Sequence, residues 1–224
     1  MTDPTPAGDP HGALPPLAAG AELDRADAAL VLIHGRGAPA RTLVPLVDAL
    51  LEGMDGEVAV RLPQAAGAVW YPQRFVVPRA DNEPQLSSAS RRIELLLDEL
   101  IAAGVPQERI VLGGFSQGAC LALDVFARRG VRLGAVIAYA GGLIGDTLDP
   151  TLYADDLAGT PVFIGSGDPD PHIPTGRVEE SAALLRAKGA EVDARLYPGI
   201  GHTVNGDELD AGRALIAQVL RAGA

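Results

Sequence analysis

Short, continuous apolar runs alternate with segments of helical periodicity along most of this chain. Ala28–Ile33 (AALVLI) is apolar at every position, as is typical of a strand buried on both faces of a sheet. Between Thr42 and Leu51 apolar residues instead recur every three or four positions, as on one face of a helix. The alternation predicts an α/β fold with a mainly parallel central sheet, helices on both faces and no large cap domain. The remaining predicted strands are 58–62, 110–115, 133–139, 161–165 and 192–197, and the remaining helices are 87 or 90 to 103, 118–129, 177–188 and 207–221.

Residues 1–12 are rich in proline and small residues, so we expect a flexible N-terminal tail followed by a single domain over residues 13–224. Residues 63–86 show no clear period and contain Trp70, Tyr71 and Phe75. Long loops in compact domains usually carry function. The sequence leaves open whether these aromatic residues line a substrate pocket or pack into the core of the loop.

Composition excludes several classes of function. The 224 residues carry a net charge of −11, which argues against nucleic acid or an anionic membrane as the main partner. Cys120 is the only cysteine, so no disulfide can form within the chain and a reducing compartment is the simplest interpretation. The N-terminus lacks the basic and apolar regions of a secretory signal, and no segment reaches the ~18 apolar residues of a membrane span. We expect a cytoplasmic protein without stable membrane insertion.

Ser116 stands between glycines where a predicted strand meets a predicted helix. Gly114-Phe115-Ser116-Gln117-Gly118 matches the G-x-S-x-G nucleophile elbow. In that strained turn, side chains larger than glycine at positions 114 and 118 would crowd the serine hydroxyl group. The N-terminal amides of the next helix would point toward the serine, where negative charge develops during the reaction. The alternative is a glycine-rich turn with a structural serine.

A serine nucleophile requires a base and an orienting carboxylate. In α/β-hydrolases these follow the serine in the order acid, then histidine. His202, in the loop after the last strand, is the predicted base. Asp168 and Asp170 both follow the 161–165 strand, and spacing alone does not choose between them.

The backbone N–H groups of Gln117 and Arg36 are the predicted oxyanion donors. Arg36 lies in the glycine-containing loop after the first strand. His34 in that loop is interpreted as a structural residue that braces it.

Six motifs together resemble the carboxylesterase/acyl-protein thioesterase/lysophospholipase group of small α/β-hydrolases. The similarity extends from about Ala28 to Arg221. It implies Ser116 as nucleophile, Asp170 as acid and His202 as base. Arg36 replaces the apolar residue of the eukaryotic thioesterases, so the chain is more similar to the bacterial carboxylesterase branch. The motifs are HGRG, PQ, WYP, GFSQG, GDPDPHIP and YPGIGHTVN.

These observations predict a serine esterase that cleaves carboxylic esters of small to medium acyl chain through an acyl-enzyme. Trp70, Tyr71, Phe75 and His172 are predicted to bind the small-molecule substrate. No metal or organic cofactor is implied, and the sequence leaves a homodimer open. The alternatives are a thioesterase or lysophospholipase with the same triad and, from another class, a non-catalytic binding module on the same scaffold.

Overall fold

A seven-stranded sheet forms the centre of the computed structural model, which describes residues 9–12 and 14–222. The strand order is β1-β3-β2-β4-β5-β6-β7; β1 pairs antiparallel with β3 and every other pair is parallel. The mainly parallel sheet predicted from the alternating pattern is therefore confirmed. The strands are β1 (Leu17–Gly20), β2 (Ala28–Ile33), β3 (Val58–Leu62), β4 (Ile110–Phe115), β5 (Ala135–Tyr139), β6 (Pro161–Asp168) and β7 (Glu191–Pro198).

Helices cover both faces of this sheet. Helices α1 and α5 pack on one face, and α2, α3 and α4 pack on the other, so that two separate apolar clusters form. No cap domain is inserted between the elements of residues 14–222. The helices are α1 (Val44–Leu51), α2 (Gln85–Ala102), α3 (Gln117–Arg129), α4 (Thr175–Ala187) and α5 (Gly206–Arg221).

The largest differences from the predicted elements lie at edges and at helix starts. Strand β1 was not predicted because it has only four residues, all of them exposed, so its sequence shows no alternation between a buried and an exposed face. Helix α2 begins at Gln85, directly after Pro84, and neither Ser87 nor Ser90 caps it. Strand β6 extends three residues beyond the predicted Gly165, to Asp168.

Residues 9–12 of the predicted flexible tail pack against the domain. His11 is buried; its Nδ1 accepts a hydrogen bond from Ala66 N at 3.0 Å and its Nε2–H donates to Trp70 O at 2.9 Å. Asp9 accepts a hydrogen bond from Ser88 Oγ. These contacts stabilise the segment because they pair polar groups that burial would otherwise leave unsatisfied. Residues 1–8 of the predicted tail lie outside the described residues.

Residues 63–86 are not a structureless loop. Two short 3₁₀ turns, Ala66–Ala68 and Arg79–Asn82, lie within this stretch, and helix α2 begins before it ends. Within residues 9–12 and 14–222, no helix is long and apolar enough to cross a bilayer.

Candidate active site

Ser116 occupies a sharp turn between β4 and α3. Its backbone has φ 56° and ψ −119°, a left-handed conformation that costs energy for a residue with a side chain. A Cβ on Gly114 would lie 2.4 Å from the backbone of Gly118, and a Cβ on Gly118 would lie 2.1 Å from the carbonyl oxygen of Ile33. Both flanking glycines are therefore required for the close packing of strand β2 and helix α3 around the serine.

His202 lies between Ser116 and Asp170. Its Nε2 is 2.8 Å from Ser116 Oγ and its Nδ1 is 2.7 Å from Asp170 Oδ2. An ionised carboxylate only accepts hydrogen bonds, so Nδ1 carries the proton and Nε2 accepts from the serine hydroxyl group. The structure brings all three predicted side chains into one hydrogen-bonded line.

Both carboxylate oxygens of Asp170 accept hydrogen bonds. Oδ1 accepts hydrogen bonds from the backbone N–H groups of His172 at 2.7 Å and Ile173 at 3.1 Å, and Oδ2 faces His202. Burial by itself would raise the pKa of Asp170, but the hydrogen bonds from His202, His172 and Ile173 outweigh burial and lower the pKa. Asp168, the other sequence candidate, is exposed at the end of β6.

Two aromatic rings fix the position of the His202 imidazole. The ring of Phe115 lies 4.9 Å from it and that of His172 lies 4.8 Å away, edge to face. Just beyond the His202 loop, Asn205 and Glu208 form a capping box that starts helix α5. The loop is thus anchored at its helical end, and the ring is held between two neighbours.

Arg36 and Gln117 flank Ser116 from two different elements. Arg36 lies in the 34–39 loop after β2, where a Cβ on the adjacent Gly35 would lie 3.4 Å from the Ser116 side chain. Gln117 is the first residue of helix α3. Its backbone N–H therefore belongs to the unpaired N-terminal amides of that helix. Both residues line the same cleft as Ser116.

The cleft above Ser116 has a volume of about 830 Å³. Tyr71, Phe75 and His172, three of the four residues predicted to bind substrate, line it. Sequence reasoning did not assign five other lining residues to the cleft, although two of them belong to the apolar helical pattern predicted over residues 42–51. These five are Thr42, Leu43, Leu46, Thr203 and Val204.

Trp70 does not line the cleft, and its predicted contact with substrate is wrong. The side chain is fully buried, with its ring 5.0 Å from that of His34 and its Nε1–H donating to His34 O at 3.0 Å. His34 is itself buried, and its Nε2 accepts a hydrogen bond from Ala65 N at 3.1 Å. His34 therefore braces its loop, and Trp70 packs beneath that loop.

The fold and this site together define an α/β-hydrolase. The sequence matches the model of the phospholipase/carboxylesterase family over residues 56–220. The chain belongs to that family.

Relatives and solved structures agree with this assignment. The acyl-protein thioesterase 1 of Gibberella zeae is 35% identical over 147 residues, covering 63% of this chain and 61% of that protein, so the chain spans less than two thirds of this relative. The acyl-protein thioesterase 1 homolog 1 of Dictyostelium discoideum is 26% identical over 214 residues, covering 89% of this chain and 93% of the relative. The crystal structure of a phospholipase/carboxylesterase from Dyadobacter fermentans superposes with a TM-score of 0.86 at 39% identity, covering 92% of this chain and 97% of that one.

Proposed function

We propose that this protein is a serine carboxylesterase that cleaves esters of small to medium acyl chain through an acyl-enzyme. The observation that carries the proposal is the position of His202, with one ring nitrogen 2.8 Å from Ser116 Oγ and the other 2.7 Å from Asp170 Oδ2. In this arrangement the serine hydroxyl group can give its proton to an imidazole nitrogen, while the other ring nitrogen is already hydrogen-bonded to a carboxylate.

In the acylation step, His202 Nε2 accepts the Ser116 proton as Oγ forms a bond to the ester carbonyl carbon. The Asp170 carboxylate holds the proton on Nδ1 and offsets the charge of the imidazolium. The backbone N–H groups of Arg36 and Gln117 bind the oxyanion, at ~3 kcal/mol for each donor. The tetrahedral intermediate then collapses, the C–O bond to the alcohol breaks, and His202 returns its proton to the departing alcohol oxygen.

Deacylation repeats the chemistry with water as nucleophile. His202 accepts a proton from the water molecule, the hydroxide oxygen adds to the acyl carbon, and the carboxylic acid leaves as Ser116 Oγ recovers its proton. This reaction sequence uses only side chains and backbone groups of the chain itself.

The cleft supports a small-molecule ester as substrate. Its volume of about 830 Å³ lies within the ~300–1,000 Å³ of small-molecule sites. Leu43, Leu46, Phe75 and Phe115 give it apolar surface for an acyl chain, and we assign Tyr71, Phe75 and His172 to substrate contacts. Because the net charge is −11, we propose that the protein has no nucleic-acid partner. Because Cys120 is the only cysteine, we propose a cytoplasmic location. A homodimer is a further proposal.

A Ser116→Ala variant tests the assignment. Hydrolysis of p-nitrophenyl acetate and butyrate should fall by several orders of magnitude, and labelling by a fluorophosphonate should disappear. Ser90→Ala, on helix α2 and remote from the cleft, is the matched control and should keep both. Wild-type-like turnover in the Ser116 variant would refute the proposal. Absence of labelling in the wild-type chain would instead favour a binding module.

Thioester hydrolysis is the second candidate, because both relatives described above carry the name acyl-protein thioesterase. The same triad would act on either acyl donor. Comparing kcat/KM for oxygen esters and thioesters of equal acyl length, from C2 to C16, separates the two functions. A preference for long-chain thioesters would reassign the substrate and leave the mechanism unchanged.

A further inference from the structure

Residues 70–75, here called the wall segment, belong to no helix or strand, and residues 71–75 of the segment line the cleft. All six of their carbonyl oxygens nevertheless accept hydrogen bonds from other parts of the chain. Such complete pairing is normal for a sheet or helix and unusual for a loop. Trp70 O accepts from His11 Nε2, and Tyr71 O accepts from both Arg36 and Gln117 Nε2. Pro72 O and Gln73 O accept from Arg36, Arg74 O accepts from Asn82 Nδ2, and Phe75 O accepts from Gly145 N.

The Arg36 side chain provides half of this anchoring. Its guanidinium group donates to Tyr71 O at 2.9 Å, to Pro72 O at 2.8 Å and to Gln73 O. A planar guanidinium presents several N–H groups in a fixed fork and can bind three neighbouring carbonyls at once, whereas a lysine ammonium is a compact donor on a flexible stem. The contact therefore depends on arginine and not on positive charge alone.

Both predicted oxyanion donors use their side chains on the same carbonyl. Gln117 Nε2 donates to Tyr71 O at 2.8 Å, and its Oε1 accepts from Trp70 N at 2.9 Å. Arg36 also binds Tyr71 O. The Tyr71 carbonyl thus joins the 34–39 loop, helix α3 and the wall segment at one point.

The 34–39 loop needs such a constraint because glycines flank Arg36. Gly37 has φ +76°, and no atom lies within 4 Å of the position that a Cβ would take there, so little packing holds it from the side-chain direction. Glycine also gives the backbone more conformational freedom than any other residue. The hydrogen bond from Gly37 N to Ala68 O at 2.7 Å holds the loop on the far side of Arg36. The guanidinium contacts add a second constraint on the direction of the Arg36 backbone N–H.

We propose that the Arg36 side chain is a positioning residue that fixes the direction of its own backbone N–H by binding the wall segment. The proposal rests on the proposed esterase function, in which that N–H stabilises the oxyanion. A preorganised donor is worth far more than one that must be ordered during the reaction. Losing the side chain should therefore lower kcat more than it raises KM.

Arg36→Ala is the informative substitution because it removes the guanidinium group and keeps the backbone N–H. We expect kcat for p-nitrophenyl butyrate to fall by about 10- to 100-fold, less than the loss of a whole oxyanion donor. Arg36→Lys should recover little of this activity. Guanidinium ion added at millimolar concentration, far below denaturing levels, should recover part of it by occupying the vacated site. Arg41→Ala, which removes an exposed arginine from the turn after this loop, should retain wild-type kcat and show no response to guanidinium.

Three outcomes would overturn the proposal. They are an Arg36→Ala kcat within twofold of wild type, a change confined to KM, or a loss that guanidinium does not relieve. Circular dichroism at the assay temperature establishes that the variant is folded. If it is not, Arg36→Gln, which keeps a shorter hydrogen-bonding side chain, is measured in its place and should show the same fall in kcat.

The fluorescence of Trp70, the only tryptophan, separates this proposal from the proposed function. Trp70 begins the wall segment, so Arg36→Ala should increase its quenching by acrylamide even if no ester is ever hydrolysed. An inactive wild-type enzyme with this fluorescence change would refute the esterase function and leave the anchoring intact. An active wild-type enzyme with unchanged quenching and unchanged kcat in the variant would refute the anchoring alone.

Discussion

Arg79 binds Asp124 through two hydrogen bonds, Nη1 to Oδ1 at 2.7 Å and Nη2 to Oδ2 at 2.9 Å. The Asp124 side chain on helix α3 is fully buried, and that of Arg79 is 19% exposed. This ion pair joins the stretch before helix α2 to the helix that begins directly after Ser116. Arg79 also donates to Ile144 O, so three separate parts of the chain meet at one guanidinium group.

Asp124→Asn should destabilise the protein strongly, because it leaves Arg79 partly buried without its carboxylate. Breaking one side of a buried pair costs ~3–5 kcal/mol. Asp98→Asn is the matched control: Asp98 pairs with Arg129 at 2.6 Å but its side chain is 58% exposed, and exposed pairs contribute only ~0–1 kcal/mol. Urea unfolding followed by circular dichroism measures both. Equal losses in the two variants would contradict the role of the buried pair.

Asp170→Asn should reduce kcat by about 10⁴-fold, since an amide at that position no longer selects the tautomer of His202 that accepts the serine proton. Asp168→Asn should leave kcat within about twofold of wild type, because Asp168 is exposed and only Asp170 reaches the imidazole. Steady-state kinetics on p-nitrophenyl butyrate compare the two. A larger loss at Asp168 would reassign the acid.

The choice between the two aspartates could not be made from the spacing of the sequence. Both follow the predicted 161–165 strand within a few residues, and only the three-dimensional turn decides which one reaches His202. The choice of Asp170 rests on a family resemblance and not on spacing. By contrast, the bounds of β2, β3 and β4 follow from the sequence, because a strand buried on both faces is apolar at nearly every position.

Trp70 and His11 could not be placed from the sequence for a different reason. An aromatic residue in an aperiodic stretch carries no signal for which side it faces, so the sequence does not distinguish burial beneath the 34–39 loop from exposure in the cleft. His11 lies among prolines and small residues, and its partners are 55 and 59 positions away along the chain. Contacts made over such separations leave no local pattern.

Gly118→Ala should prevent normal packing of the nucleophile turn, because the new Cβ would lie 2.1 Å from Ile33 O and 2.6 Å from His34 O. Helix α3 must then move away from β2 and shift Ser116. We expect a markedly lower Tm, or failure to fold, with loss of esterase activity. Gly176→Ala is the control, since that glycine lies in helix α4 with no atom within 4 Å, and alanine should be neutral or stabilising by up to ~1 kcal/mol. A Gly118 variant with normal Tm and activity would contradict the packing argument.

The free energy of unfolding should decrease as the pH falls below about 6.5, in part because of two buried histidines. Burial lowers the pKa of both His11 and His34, although hydrogen bonds to the carbonyls of Trp70 and Gly35 act in the opposite direction. In the unfolded chain each imidazole has its ordinary pKa of about 6.5 and takes up a proton below that pH, whereas the folded protein resists protonation. Stability is therefore fully present above the unfolded pKa and is lost as the pH falls towards the folded pKa. The slope is at most ~1.4 kcal/mol per pH unit for each histidine.

His11→Gln tests this linkage. The informative quantity is the change in the free energy of unfolding with pH, and not its value at one pH. Glutamine can replace only part of the hydrogen bonding of His11, so the variant should be less stable at pH 7.5. Because glutamine does not titrate, the gap to wild type should narrow as the pH falls from 7.5 to 5.5, leaving the His34 contribution in place. Urea midpoints at several pH values measure both curves. A gap that stays constant or widens would mean that His11 is not a source of the acid sensitivity, and that the buried N-terminal segment is held by its other contacts, such as the hydrogen bond between Asp9 and Ser88.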